Sequence, residues 1–107
     1  MNIKIADRHE SGTNGIRTYI ETELQTLADK YEILDADVIL DQEGHTGREF
    51  TAEIIVHVKG AKLLAKEVSE EIGKSVDLAV KTLEKQLKKH KETHFASMEL
   101  KRHAVAK

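Results

Sequence analysis

The apolar positions of this chain repeat with two different periods, and each change of period marks a new element. Residues 2–6 (NIKIA) alternate, with Ile3 and Ile5 on one side, and predict a short strand. Residues 7–15 (DRHESGTNG) read as a loop, with Ser11, Thr13 and Asn14 as candidate helix caps. Ile16, Tyr19, Ile20, Leu24, Leu27, Ala28 and Tyr31 then recur every three or four positions, which predicts an amphipathic helix with one buried face. Residues 32–35 connect it to a second strand at 37–40 (DVIL).

Residues 41–48 (DQEGHTGR) hold two glycines and predict a hairpin loop. The stretch 50–58 alternates most clearly. Phe50, Ala52, Ile54, Val56 and Val58 point one way, while Thr51, Glu53, Ile55 and His57 point the other. Gly60-Ala61 suits a two-residue type II′ turn, which takes glycine first. That turn sets Val58 opposite Leu63 and Val56 opposite Ala65, with the fourth strand at about 62–68. A last helix is expected from about 71 to about 92, with Val76, Ala79, Val80, Leu83 and Leu87 as its apolar stripe. Residues 93–107 (THFASMELKRHAVAK) carry no firm pattern and read as a short tail, with frayed helix at its start.

The element order is therefore β-α-β-β-β-α. The simplest way to bury these stripes is an α+β fold, a four-stranded mostly antiparallel sheet with two helices packed on one face. A chain of 107 residues is one domain's worth, placed at 1–92 and followed by the tail 93–107.

Composition then narrows the function classes. The absence of cysteine removes disulfide scaffolds, thiolate zinc sites, iron–sulfur clusters and cysteine nucleophiles. The first ten residues, MNIKIADRHE, are charged and lack an apolar stretch, so no secretory leader is expected. No apolar run approaches the ~18 residues that span a bilayer. A cytoplasmic protein without a membrane partner is the expectation. The aromatic residues are Tyr19, Tyr31, Phe50 and Phe95, which leaves little for base stacking.

The net charge of −2 conceals an uneven distribution. Residues 1–53 hold five Lys/Arg against twelve Asp/Glu, a balance of −7, and residues 54–107 hold twelve against seven, a balance of +5. Such asymmetry suggests a polyanion-binding end. On a wheel of about 100° per residue from Val76, the core set of the second helix stays within about 60° of zero. Lys74, Lys81, Lys85, Lys88 and Lys89 occupy a sector of about 100° on the opposite side. Glu84 lies toward the edge of that sector. Lys91 lies nearer the core side, where its long stem can snorkel outward. A merely solvated helix mixes signs, because i,i+4 pairs of opposite charge stabilise it. Here the outer face is nearly all positive, which fits a phosphate backbone. Arg17 on the first helix extends the patch if the two helices lie side by side.

Other motifs carry less. Gly44-His45-Thr46-Gly47 spells the GxxG of a KH domain, but it joins two strands where that loop joins two helices. The outward residues of the third strand are not the exposed aromatics of an RRM. His90 and His94 stand at i,i+4, yet the segment is His-Lys-Glu-Thr-His, which misplaces the glutamate of a zincin, and no third ligand is evident. On the wheel His90 falls near the core side and reads as a partly buried histidine. His57 has no nucleophile or orienting partner near it in sequence. Asp41 and Glu43 lack the rest of a calcium pattern. There is no P-loop and no G-x-G-x-x-G. An enzyme has no motif to stand on, and no metal or cofactor is implied.

Two segments carry a family resemblance. Gly15-Ile16-Arg17-Thr18-Tyr19-Ile20, followed by Leu24 and Leu27, resembles the first helix of the ribosome hibernation-promoting factors and ribosome-associated inhibitors, also known as sigma-54 modulation proteins. The stretch 76–91 (VDLAVKTLEKQLKKHK) resembles the family's second helix, with its leucine-glutamate-basic-glutamine-leucine core at 83–87. The resemblance covers about residues 1–92, and the derived element order is also that family's fold.

The resemblance implies a non-enzymatic protein that binds the small ribosomal subunit between head and body, at the decoding region where mRNA and tRNA lie. Basic residues of both helices would contact ribosomal RNA, block initiation and store the ribosome inactive during stress or stationary phase. It implies no cofactor and no small-molecule substrate. By position, Arg17, Lys85, Lys88 and Lys89 take the RNA-contact role, while Lys74, Lys81 and Lys91 rest on the wheel. Two departures stand out. Glu71-Ile72-Gly73 replaces the family's frequent aspartate-methionine-tyrosine, and the loop at 7–12 differs from the usual pattern. Long members add a dimerisation domain, for which the residues after 92 do not suffice, so a short form or one part of a split system is expected. The alternative is a protein-binding transcription regulator acting through the acidic N-terminal half. An enzyme built on His57 and loop acids is the third reading.

Overall fold

A computed structural model pairs the strands in the order in which they occur along the chain. It describes the backbone of residues 1–8, 14–43 and 49–106, and side chains within 1–8, 15–42 and 49–92. β1 (Asn2–Asp7) runs parallel to β2 (Ile33–Glu43), and α1 (Asn14–Lys30) makes the crossover between them. β3 (Glu49–Val58) and β4 (Ala61–Ser69) follow antiparallel, and α2 (Ile72–Ala106) completes the chain. The sheet order is β1-β2-β3-β4. Two of its three pairings are antiparallel, as the β-α-β-β-β-α reading expects.

Both helices cover one face. α1 contributes Ile20, Leu24 and Leu27, and α2 contributes Val76, Ala79, Leu83 and Leu87, all buried against Ala36, Val38, Leu40, Ala52, Ile54 and Val56 of the sheet. Alternation along β3 is the reason: the inward residues Ala52, Ile54, Val56 and Val58 are buried and Phe50 is half-buried, and burying a Val, Ile or Leu side chain is worth ~1.5–3 kcal/mol. Among the described residues no layer lies over the other face of the sheet. There, oppositely charged residues stand side by side on neighbouring strands, Lys4 beside Asp37 and Glu53 beside Lys66. His57 lies between Asp35 and Lys62, with its Nδ1 3.6 Å from Asp35 Oδ1, so it sits on the uncovered face that its place in the alternation predicts.

Three local expectations need correction. The β3–β4 turn consists of Lys59-Gly60, since Val58 pairs with Ala61, Val56 with Leu63 and Ile54 with Ala65. Gly60 has φ +80°, the conformation that a turn asks of its second central residue, so glycine comes second here, not first. The register moves by two residues, which keeps every side chain on its expected face.

The second strand is longer than 37–40 because its alternation is interrupted. Ile33 pairs with Val58 and Asp35 with His57, which leaves Leu34 as an extra, exposed residue between them. A period-2 pattern does not survive such a bulge, so 32–35 reads as a connection. The last helix continues to Ala106 and does not end near 92. Nothing in 74–107 stops it: the segment has no proline or glycine, and 95–106 is rich in Ala, Met, Glu, Leu, Lys and Arg, all strong helix formers. The candidate caps Ser11 and Thr13 and the Gly44–Gly47 loop lie outside the described residues.

Candidate nucleic-acid interface

The rotation of α2 about its axis decides which side chains it offers to a partner. Its apolar stripe faces the sheet, and three polar side chains fix it there. Ser75, fully buried, donates from Oγ to the Phe50 carbonyl at 2.6 Å. Thr82 donates to Glu67 Oε1 at 2.9 Å, and Gln86 Nε2 donates to the Leu64 carbonyl at 2.8 Å. The first turn of α2 follows a local turn in which the Glu71 amide donates to Ser69 Oγ at 3.1 Å. Gln86 belongs to the family-like 83–87 core, and its bond to β4 gives that glutamine a structural role.

With the stripe held inward, Lys74, Lys81, Lys85, Lys88 and Lys89 are all exposed on the far side. Glu84 is half-buried at the edge of this group. These five lysines thus share the outer side of one helix, where Glu92 is exposed as well. Lys91 lies apart from it, with its Nζ 5.7 Å from the centroid of the Tyr31 ring.

Arg17 is also exposed, but it does not extend that face. α1 and α2 do lie side by side, joined where the Tyr19 hydroxyl donates to Asp77 Oδ1. Arg17 precedes Tyr19 by two residues, a rotation of about 200°. It thus leaves α1 on the flank away from α2. The solvent side of α1 carries the exposed carboxylates Glu21 and Asp29. The bond to Asp77, with burial and the charges of Asp77 and Glu23, pushes the Tyr19 phenol up to about 12.

A cleft of about 280 Å³ opens at the end of the sheet near Lys91. Its walls come from three separate segments: Lys30, Tyr31 and Glu32 at the end of α1, Val58 and Lys59 at the β3–β4 turn, and Leu87, His90 and Lys91 on α2. Sequence patterning does not bring these together, because they belong to three different elements. The available signal is weak: a lysine at the end of α1, one in the β3–β4 turn and one within α2, and an aromatic residue just past the last residue of α1. Tyr31 is the aromatic residue that lines this cleft. His90 is half-buried, as its place on the wheel predicts. The side chain of His94 lies outside the described residues, and among the described residues no three His, Asp or Glu side chains converge on a metal position. Among the described residues no helix is long and apolar enough to cross a membrane.

Comparison with known proteins agrees with this fold. A family model described as sigma 54 modulation protein / S30EA ribosomal protein matches residues 3–94. The chain belongs to this family. Among its relatives, the ribosome hibernation promoting factor of Azotobacter vinelandii is 29% identical over 93 residues, which cover 86% of this chain and 84% of that protein. The ribosome hibernation promotion factor of a Picosynechococcus strain is 25% identical over 99 residues, covering 89% of this chain. The match spans only 51% of that longer protein. Among solved structures, the N-terminal domain of Thermus thermophilus Protein Y superposes with a TM-score of 0.73 at 32% identity, covering 84% of this chain and 99% of that domain. A ribosomal subunit interface protein from Coxiella burnetii gives a TM-score of 0.76 at 24% identity, covering 86% of this chain and 99% of its own, a likeness of fold.

One departure from the family pattern has a structural reading. Ile72 packs against the core, and Gly73 lies in the first turn of α2, where an added Cβ would meet nothing within 4 Å. Packing does not exclude a side chain at the position where family members often carry tyrosine.

Proposed function

We propose that this member of the S30EA family is a non-enzymatic ribosome hibernation factor that binds the small subunit at its decoding region. The lysine face of α2 lies along ribosomal RNA phosphates, and the body of the domain fills the space that mRNA and tRNA need. The action is occlusion, and no bond is made or broken. The observation that carries this reading is the row of five exposed lysines, Lys74, Lys81, Lys85, Lys88 and Lys89, on the far side of a helix locked by Ser75, Thr82 and Gln86. Each phosphate neutralised releases counterions, so affinity is salt-dependent. Lys91 and Arg17 add contacts at the two flanks. The working compartment is the cytoplasm.

The test is sedimentation of the purified chain with separated ribosomal subunits on density gradients. The wild type is expected with the small subunit and not the large one, and prefilling the small subunit with mRNA and tRNA is expected to exclude it. A Lys85→Glu/Lys88→Glu/Lys89→Glu variant is expected to stay at the top. Wild-type protein that stays at the top, or that joins both subunits equally, overturns the proposal. The alternative, a transcription regulator working through the acidic half, predicts that the triple variant keeps full activity.

A further inference from the structure

We infer that the cleft between Tyr31, Lys59 and Lys91 receives one unstacked nucleotide of the bound RNA, with its base against Tyr31 and its phosphate among the lysines. This rests on the RNA-binding reading and adds a second kind of contact to it. The lysine face offers charge alone, which binds any phosphate backbone. The cleft offers a shape. Its floor is apolar, from the buried Val58 and Leu87 and the half-buried Tyr31. Its rim carries Lys30, Lys59 and Lys91 against one carboxylate, Glu32. At about 280 Å³ it is near the low end of the ~300–1,000 Å³ typical of small-molecule sites, suited to one planar group.

The Tyr31 ring already accepts a partner on its face, the Lys91 ammonium 5.7 Å from its centroid. A base that slides over this ring replaces an exposed cation–π contact with a stack, which is the stronger of the two in single-stranded nucleic-acid binding. The displaced ammonium then swings to the phosphate of the same nucleotide. α1 ends at Lys30, beside the cleft, so the negative end of its dipole and Glu32 oppose a bare anion. Phosphate without a base is therefore expected to bind poorly, whereas base and phosphate together satisfy both floor and rim.

The test is an NMR titration of the full chain with adenosine monophosphate, inorganic phosphate and a single-stranded adenosine hexanucleotide. The nucleotide is expected to shift the Tyr31 ring and the Val58 and Leu87 methyls at millimolar concentration. The hexanucleotide is expected to do so at least tenfold more tightly, and phosphate not at all. Tyr31→Phe is expected to keep the effect, and Tyr31→Leu, checked for an intact fold by its own spectrum, to weaken it at least fivefold. On gradients with small subunits, Tyr31→Leu is expected to lower affinity about tenfold and to reduce the salt slope by about one phosphate contact, leaving the rest of the slope in place. Identical shifts with phosphate and nucleotide, or a Tyr31→Leu variant that binds like wild type, overturn the cleft while the lysine-face reading stands. Nucleotide binding in a chain that no ribosomal subunit retains overturns the RNA origin of the ligand, and the cleft is then a site for free nucleotides.

Discussion

The phenol of Tyr19 donates its hydrogen to Oδ1 of Asp77, joining two helices across 58 positions of sequence. The two helices share only a narrow seam, so this bond bears directly on how α2 is held. Tyr19 is 38% exposed, more than an apolar stripe of α1 suggests, because its hydroxyl reaches sideways to α2 and not down into the sheet.

Tyr19→Phe is expected to remove that bond while keeping the ring. The loss is about 1 kcal/mol, in the range of a net hydrogen bond, and lowers Tm by about 4–8 °C in a domain of this size. Calorimetry of the two proteins at neutral pH checks it, and an unchanged Tm contradicts the assigned role.

The same bond carries a pH dependence. The folded phenol is held up to about 12 against an ordinary value of 10.0. Below about pH 10 neither state releases the proton, and the contribution is complete. Between about pH 10 and 12 the unfolded chain releases it and the folded chain does not, so stability falls as pH rises. Urea midpoints across that window are expected to drop more steeply in wild type than in Tyr19→Phe. Parallel curves speak against the coupling.

Thr51 points to the uncovered face of the sheet yet is 3% exposed, and among the described residues its Oγ1 has no hydrogen-bond partner. A buried hydroxyl without a partner costs free energy that an isosteric methyl does not. Thr51→Val is expected to raise stability by about 1 kcal/mol, read as a higher urea midpoint with an unchanged slope.

Gly73 has open space where a Cβ would go and sits within a helix. Gly73→Ala is expected to stabilise the protein by ~0.4–1 kcal/mol by narrowing the unfolded ensemble. Thermal melts of the two chains test this, and a lower Tm would show that glycine is needed there.

Much of this fold is legible in the sequence because β3 and α2 are long and strictly periodic, so Ile54, Val56, Leu83 and Leu87 declare their inward face. The errors have local physical causes. Leu34 forms a bulge, which erases the alternation at the start of β2. Gly60 takes the second place in its turn, a choice that one glycine does not reveal. α2 runs past residue 92 because a helix without a stop signal continues even where its apolar stripe fades. The lysine face was readable for the same reason as the core: both follow from one helical period. Arg17 and the cleft were not, since each depends on how separate elements sit together. Tyr19 fixes which flank of α1 meets α2, and Tyr31, Lys59 and Lys91 meet only after three segments have packed.

The central claim is that the lysine face of α2 binds phosphates of the small ribosomal subunit, and the salt dependence of that binding tests it most directly. Affinity for purified small subunits is measured from about 50 to 200 mM salt for wild type and for Lys85→Gln/Lys88→Gln/Lys89→Gln. The five contacts of the face, at ~0.7–0.9 each, contribute about −4 to the wild-type log–log slope, and the variant is expected to lose about 2–3 of it. A wild-type slope near zero, or a variant with the wild-type slope, contradicts the account.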